Sequence, residues 1–345
     1  MWSKNSPLVV NIMHRNLWKI ALLSLLFLTA CSSEYFDHHA RETTDLSLSI
    51  SSWAFRDTDF FTLPDIRALD RINADIKNAK SRVWIEIYTW TEKSTIATIL
   101  EAHKRGVDVR VILEGNVYQT PRINDPYFDI LKEAGIPVYF ADNARYNFTH
   151  AKFWLIDDRF CIATGNWSYS TFTKNRDFIF CARDEGVLSD LEEIFSADSK
   201  REKPLFADGL DSRLGLSPLN MRSFVESAIG KSRKSLYIYN QTLSDDRLIA
   251  LLEGKHKQGV DVRVCVGTDM ASGALDGITF PLHRLEKPYL HAKLMLIDDS
   301  EILVGSMNFT ANALDNNREV AIRIGENEKY YSQAKKLFFH ECFPD

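Results

Sequence analysis

Between residues 62 and 345 the apolar positions fall into short runs of two kinds, and the same succession of runs occurs twice. Val83-Trp-Ile-Glu-Ile-Tyr88 and Leu236-Tyr-Ile-Tyr239 are β-branched and aromatic stretches of strand length. An amphipathic helical period precedes each, over Asp65–Lys80 in the first half and Asn220–Lys231 in the second. Further on, Ile99-Leu-Glu-Ala-His-Lys-Arg-Gly-Val-Asp-Val-Arg-Val111 matches Leu252-Glu-Gly-Lys-His-Lys-Gln-Gly-Val-Asp-Val-Arg-Val264 in its helix, its Gly stop and its strand. Strand, helix and strand in alternation predict a layered α/β sheet. Because the succession repeats, two similar lobes are expected, 62–200 and 219–345, joined by a charge-, Gly- and Pro-rich junction at 201–218.

The halves differ between the second strand and a histidine. That interval runs from Val111 to His150 in the first half and from Val264 to His291 in the second, 39 residues against 27. The longer one contains Asp125-Pro-Tyr-Phe-Asp-Ile-Leu-Lys-Glu-Ala-Gly135, an extra helix with a Gly stop. The shorter one contains a loop over Met270–Gly277. Loops beside a duplicated site are expected to set substrate choice.

The closest internal identity lies at those histidines. His150-Ala-Lys-Phe-Trp-Leu-Ile-Asp-Asp158 and His291-Ala-Lys-Leu-Met-Leu-Ile-Asp-Asp299 share spacing and chemistry. Thr164-Gly-Asn166 and Asn175-Arg-Asp177 follow the first, Ser306-Met-Asn308 and Asn317-Arg-Glu319 the second, without a gap between Asn and Arg. One His-x-Lys strand is compatible with a plain solvated face, since its side chains alternate. Two copies with matched followers argue against that. A zinc site is disfavoured, because no HExxH or paired Cys accompanies these residues and a lysine beside each histidine repels a cation.

A phosphodiester needs cations and donors around its oxygens, a nucleophile on one side and an acid for the leaving group on the other. Lys152, Lys293, Asn166 and Asn308 can hold the phosphoryl oxygens, with Thr164 and Ser306 as further substrate contacts. His150 and His291 can divide the roles of nucleophile and acid. Asp177 and Glu319 can orient the imidazoles, and Asp157 and Asp298 complete the motif as structural residues. No metal or other cofactor is called for.

At these residues the chain resembles the phospholipase D superfamily, whose HxKxxxxD signature is followed by G-[ST]-x-N and a later acidic residue. The likeness covers roughly Asp65 to the end. It implies two α/β/α sandwich lobes related by a pseudo-twofold axis, one active site at their interface, and a phosphohistidine intermediate. By resemblance the N-terminal copy supplies the nucleophile, giving His150 that role and His291 the role of acid. The first copy departs from the pattern: Ala163 stands where Gly is expected, its segment is one residue shorter, and Asp177 replaces Glu. Leu216-Ser-Pro-Leu-Asn220 is similar to a recurrent segment of bacterial relatives.

The first thirty-one residues read as an address. Arg15 and Lys19 precede the apolar run Ile20–Leu28, too short to span a bilayer. Leu28-Thr-Ala-Cys31 resembles a lipobox, which implies a signal peptide over 1–31, lipidation of Cys31, and an exported lipoprotein facing the periplasm, with Ser32 favouring the outer membrane. Residues 32–61 are polar, without sustained period, and are read as a tether. Removing the leader, with its three basic residues, leaves 39 Lys and Arg against 47 Asp and Glu, a formal charge of −8. That disfavours nucleic acid as a partner, although a local basic groove stays open.

Phospholipid at a membrane surface is therefore the expected substrate, for hydrolysis or headgroup exchange, with an exported metal-independent endonuclease and an inactive lipid-binding lipoprotein as rivals. Both motifs lie in one chain, so a monomer suffices. Cys161, Cys181, Cys265 and Cys342 are too few and scattered for a disulfide framework; Cys161 with Cys181 is conceivable, as are free thiols. Trp84, Tyr88, Trp90, Trp154 and Trp167 are expected in the core, and Tyr146 and Phe148 at the mouth of the pocket.

Overall fold

The computed structural model describes residues 54–269, 276–325 and 327–344. Residues 1–31 with Cys31, most of the expected tether, and most of the loop Met270–Gly277 lie outside the described residues.

The first lobe builds one sheet from β1 (Arg56–Leu63), β2 (Arg82–Ile87), β3 (Asp108–Leu113), β4 (Val138–Phe140), β5 (Lys152–Ile156), β6 (Arg159–Ala163) and β7 (Asn175–Arg183). Their spatial order is β1-β7-β6-β5-β2-β3-β4. The second sheet uses β8 (Leu214–Ser217), β9 (Ser235–Asn240), β10 (Asp261–Val266), β11 (Leu282–Arg284), β13 (Lys293–Ile297), β14 (Glu301–Gly305) and β15 (Glu319–Ile324). Read from its β8 edge it runs β8-β15-β14-β13-β9-β10-β11, matching the first sheet position by position. The parallel pairs β2/β3 and β9/β10 are the strand–helix–strand units legible in the repeat. A short strand, β12 (Tyr289–Leu290), leaves its own sheet and pairs with β7 of the other.

Local sequence explains where the helices start and stop. α1 (Ile66–Asn78) is capped by Asp65, whose carboxylate accepts from the amide of Arg67, and buries Ala68, Leu69, Ile72 and Ile76 at helical spacing. α2 (Lys93–Lys104) and its counterpart in the second lobe (Asp246–Lys257) both end at a glycine, Gly106 and Gly259. Each glycine has φ +88°, a conformation that side chains disfavour. α3 (Asp125–Glu133) is the extra helix of the longer interval and stops before Gly135. α4 (Tyr169–Thr173) and α5 (Glu185–Lys200) complete the first lobe; α6 (Met221–Lys231), α7 (Asp246–Lys257), α8 (Ala311–Asp315) and α9 (Glu328–Cys342) repeat the plan in the second.

Each sheet is covered on both faces, which is why its central strands are apolar almost throughout. Outside, α1 and α2 pack Ile72, Ile76 and Ile99 on Val83, Ile85 and Val111. In the second lobe α6 and α7 pack Val225, Ile229 and Leu252 on Leu236, Ile238 and Val264. Inside, one continuous core joins the sheets: Phe153, Leu155, Phe178 and Phe180 meet Leu294, Leu296, Val304 and Val320, with Phe195 of α5 and Phe338 of α9. The two sandwiches thus share their middle layer.

Four expectations change. The tether stops short of Phe61, because Arg56–Leu63 is a strand hydrogen-bonded along β7, with Phe60 and Leu63 buried; the polar run Arg56-Asp-Thr-Asp59 hides it. The junction ends in β8, the matching edge strand of the second sheet. The four described cysteines are paired, Cys161 with Cys181 across β6 and β7 and Cys265 of β10 with Cys342 of α9. The second pair bridges 77 positions, and only the packing of α9 brings it together. Tyr146, expected at a pocket mouth, is buried.

Candidate active site

The signature strands meet the opposite lobe before they enter their own sheets. The amide of His150 donates to the carbonyl of Arg318 at 2.9 Å, and the amide of Arg318 donates to Phe148 at 2.9 Å. Reciprocally, the amide of His291 donates to the carbonyl of Arg176 at 3.1 Å, where β12 runs beside β7. Each histidine is thereby set beside the Asn-Arg-acidic segment of the other half. Nδ1 of His150 lies 3.0 and 2.9 Å from the two carboxylate oxygens of Glu319, and Nδ1 of His291 lies 2.9 Å from Oδ1 of Asp177. The carboxylates are fully buried and the imidazoles largely so, and among the described residues neither Nε2 has a hydrogen-bond partner.

The residues expected to touch substrate as hydroxyls do something else. Thr164 Oγ1 donates to Asp177 Oδ1 at 2.6 Å, and Ser306 Oγ donates to Glu319 Oε2 at 2.5 Å, both from fully buried positions. They hold the carboxylates that hold the imidazoles, which corrects the substrate-contact role. Asn317, unassigned from sequence, donates to Glu319 Oε1 at 3.0 Å. Asp177 has less support, since its Oδ2 is buried with no hydrogen-bond partner among the described residues.

Lys152 and Lys293 are completely buried. Lys152 Nζ donates to the carbonyl of His150 at 2.5 Å and stands 5.2 Å from the ring centroid of Tyr88. Lys293 Nζ donates to the carbonyl of His291 and, at 3.0 Å, to Oε1 of Gln241. Asn166 and Asn308, one from each lobe, carry a buried Oδ1 that no described residue satisfies. Polar groups of this kind are costly unless a ligand or solvent completes them.

Asp157 and Asp298 belong at the far ends of the same strands. Each sits at positive φ in a hairpin tip and accepts backbone amides, from Lys80, Ser81 and Arg82 in one lobe and from Arg233, Lys234 and Ser235 in the other. The shortened segment of the first copy is confined to that tip: Ile156 pairs with Arg159, whereas Ile297 pairs with Glu301. The histidine end is unaffected. The displaced glycine also has a local reason. A Cβ on Gly305 would meet Ala321 at 2.5 Å, and in the first copy the crowded position is Gly165, whose Cβ would meet Asp177 at 2.8 Å.

Burial sets the protonation states. Desolvation lowers His150 to about 4, against the opposing pull of Glu319, and lowers His291 likewise against Asp177. Desolvation also lowers both lysines, Lys293 to about 8. Burial alone would raise the carboxyls of Asp177 and Glu319, but their histidine partners and neighbouring lysines outweigh it, and both stay ionised. The free site therefore holds two neutral imidazoles between two carboxylates and two buried lysines. Among the described residues no cluster of three or more His, Cys, Asp or Glu is arranged to hold a metal ion.

Two clasps fix the lobes around this centre. Arg318 donates to both oxygens of Asp198 on α5 at 2.7 and 2.8 Å and to the hydroxyl of Tyr146. Arg176 pairs with Glu341 on α9, which also accepts from Tyr239 at 2.7 Å. Sequence reasoning passed over both arginines although they stand in the repeated Asn-Arg-acidic triplet. It read Tyr88 only as core and passed over Gln241, which superposing the two halves would have placed at matching strand ends.

The family described as "Cardiolipin synthase, PLD-like domain" matches residues 72–199 and 225–341. The "Mitochondrial cardiolipin hydrolase" of Canis lupus familiaris is 32% identical over 123 residues, 33% of this chain and 46% of that protein, so the chain spans less than half of that relative's length. The "Minor cardiolipin synthase ClsB" of Bacillus subtilis (strain 168) is 23% identical over 318 residues, 77% of this chain and 76% of that one. Among solved structures, phosphatidylserine synthase of Haemophilus influenzae Rd KW20 shares the fold with a TM-score of 0.65 at 13% identity, covering 82% of this chain and 86% of that one. With two matched stretches that hold both histidines and together cover more than half of its length, the chain belongs to the PLD-like domain family described as "Cardiolipin synthase, PLD-like domain".

Proposed function

We propose that this protein is a phosphodiesterase of the phospholipase D type that cleaves phospholipid headgroups or exchanges them for an alcohol, through a phosphohistidine on His150. The observation that carries the reading is the crossed pair of His–carboxylate contacts with a buried lysine beside each. His150 Nε2 attacks phosphorus while Glu319 accepts from its Nδ1. The bond to the headgroup oxygen breaks, and that oxygen leaves with the proton of His291. Water or an alcohol then gives its proton to His291 and attacks phosphorus, and the P–N bond returns its electron pair to His150. Lys152, Lys293, Asn166 and Asn308 surround the phosphoryl oxygens and stabilise their charge. The anionic phosphodiester supplies the negative field that lets His291 hold its proton in the complex.

Phospholipid is favoured over nucleic acid by the formal charge of −8 outside residues 1–31 and by the named activities of the relatives. Anchoring through a lipidated Cys31, at the periplasmic face of the outer membrane, rests on Leu28-Thr-Ala-Cys31, and two disulfides suit an oxidising compartment. One chain carries both halves of the site, which suits a monomer. The test is to offer protein lacking residues 1–31 phosphatidylcholine, phosphatidylglycerol and single-stranded DNA in parallel, with EDTA present. Cleavage of phospholipid alone is expected; cleavage of DNA alone replaces this reading with the nuclease, and no cleavage of anything with an inactive lipid-binding protein.

A further inference from the structure

The two halves of the site are alike in their chemistry but not in their walls. Beside His150 the wall is aromatic. The ring of Tyr88 meets His150 edge-on at 4.7 Å, Phe148 meets Tyr88 at 6.2 Å, and Tyr118 meets Phe148 at 6.4 Å. The series ends in solvent, with Tyr118 69% exposed. Phe148 precedes His150 by two residues in extended chain and so shares its face.

At the matching positions the second lobe is polar. Gln241 replaces Tyr88 at the end of the corresponding strand, and Tyr289 replaces Phe148 two residues before its histidine. These residues form a hydrogen-bonded line: Lys293 Nζ donates to Gln241 Oε1 at 3.0 Å, Gln241 Nε2 donates to the hydroxyl of Tyr289 at 2.9 Å, and that hydroxyl donates to the exposed Asp269. The pseudo-twofold axis relates the two walls, so their difference gives the cleft a direction.

We infer that the His291 side, lined by Gln241, Tyr289 and Asp269, is the subsite for a hydroxylated or cationic headgroup and for the acceptor alcohol that replaces it, whereas the aromatic wall at His150 takes the apolar glyceride part. The inference rests on the phospholipid reading above and deepens it. In an in-line displacement the leaving alcohol departs opposite the nucleophile, beside the acid. A polar subsite at His291 therefore fits the acid there and the nucleophile at His150, and by microscopic reversibility the acceptor enters by the same side. Gln241 has a second effect, since it positions Lys293 by accepting a hydrogen bond from its ammonium. Asp269 gives this subsite a negative rim, which favours neutral polyol or cationic groups over anionic ones.

The experiment compares full-chain protein and two variants on two donor series. One series fixes the acyl chains and changes the headgroup from methanol to glycerol; the other fixes glycerol and lengthens the chains. Tyr289→Phe keeps the ring and removes the hydroxyl. It should lower kcat/KM for the glycerol donor roughly tenfold relative to the methanol donor, the scale of one lost hydrogen bond, with the chain-length dependence intact. Phe148→Ala should flatten the chain-length dependence and leave the glycerol-to-methanol ratio as it was. Crossed effects, or equal losses in both series from both variants, overturn the assignment of the walls. A wild-type protein that cleaves aryl phosphodiesters but no phospholipid overturns the phospholipid reading instead.

Discussion

Nδ1 of His150 lies 2.9 Å from Oε2 of Glu319, a carboxylate that comes from the other half of the chain, 169 residues away. His291 and Asp177 form the reciprocal contact. Each His–carboxylate pair is therefore assembled across the seam, and neither lobe contains a complete one.

That crossing makes a specific prediction about mutants. Glu319→Gln should behave as a weakened His150→Asn, and Asp177→Asn as a weakened His291→Asn. The acid matters less for a good leaving group, so His291→Asn and Asp177→Asn should retain much of their kcat/KM on an aryl phosphodiester, with kcat lowered by slow release of the intermediate, while losing both on phospholipid. Glu319→Gln and His150→Asn should lose activity on both substrates, by about 10²-fold or more. Steady-state kinetics on the two substrate types decide it. Grouping by lobe, with Asp177→Asn resembling His150→Asn, would contradict the crossed pairing.

The dependence on pH follows from burial. His150 must be neutral to attack, and with its value near 4 that state persists well below the range of a free imidazole. Lys293, near 8, must keep its proton to hold the phosphoryl oxygens. On an aryl phosphodiester, whose leaving group needs little help from His291, kcat/KM reports the free enzyme and should be level between about pH 5 and 7 and fall on both sides. Stability has a different acid limb. The unfolded chain binds the His150 proton more readily than the folded one from about pH 6.5 downward, so stability should decline through that window while kcat/KM holds. A kcat/KM limb at pH 6.5 would show that His150 is not desolvated in the working enzyme.

Replacing Arg318 by Met should destabilise the protein by about 3–5 kcal/mol, because it strands the buried carboxylate of Asp198. Arg67→Ala, which breaks an exposed pair with Asp65, should leave stability nearly unchanged. Denaturant unfolding of the two variants compares them. Equal small effects would mean that the Arg318 clasp does not hold the seam.

Membrane attachment is tested apart from catalysis. Cys31→Ser should release the protein from the membrane fraction or leave it unprocessed. A mutant that remains membrane-bound at its normal mature mass contradicts lipidation at that residue.

The repeat made the sheets, the helices between them and the histidine–lysine strands legible, because local period and glycine stops decide those elements. Val83–Tyr88 and the helix beginning at Asp65 lie where the pattern put them, within two residues. What remained hidden depends on long-range pairing. Nothing local assigns Glu319 to His150 rather than to His291, since both carboxylates follow their own lobe's motif. Thr164 and Ser306 read as substrate contacts because a hydroxyl in a motif carries no sign of which way it faces; the structure turns both toward carboxylates. Cys342 found its partner only through the docking of α9. The aromatic and polar walls lay in plain sequence at Tyr88 and Gln241, and became meaningful once the strands that carry them were superposed.

The central claim is a covalent bond between phosphorus and His150. The His291→Asn variant should form that bond from an aryl phosphodiester and release it slowly, so acid-free quenching during the first turnover with a phosphorus-labelled substrate should trap labelled protein. Peptide mapping should then place the label on the peptide containing His150. Label on no residue of the rapidly quenched protein, with product already formed in that turnover, would contradict the account.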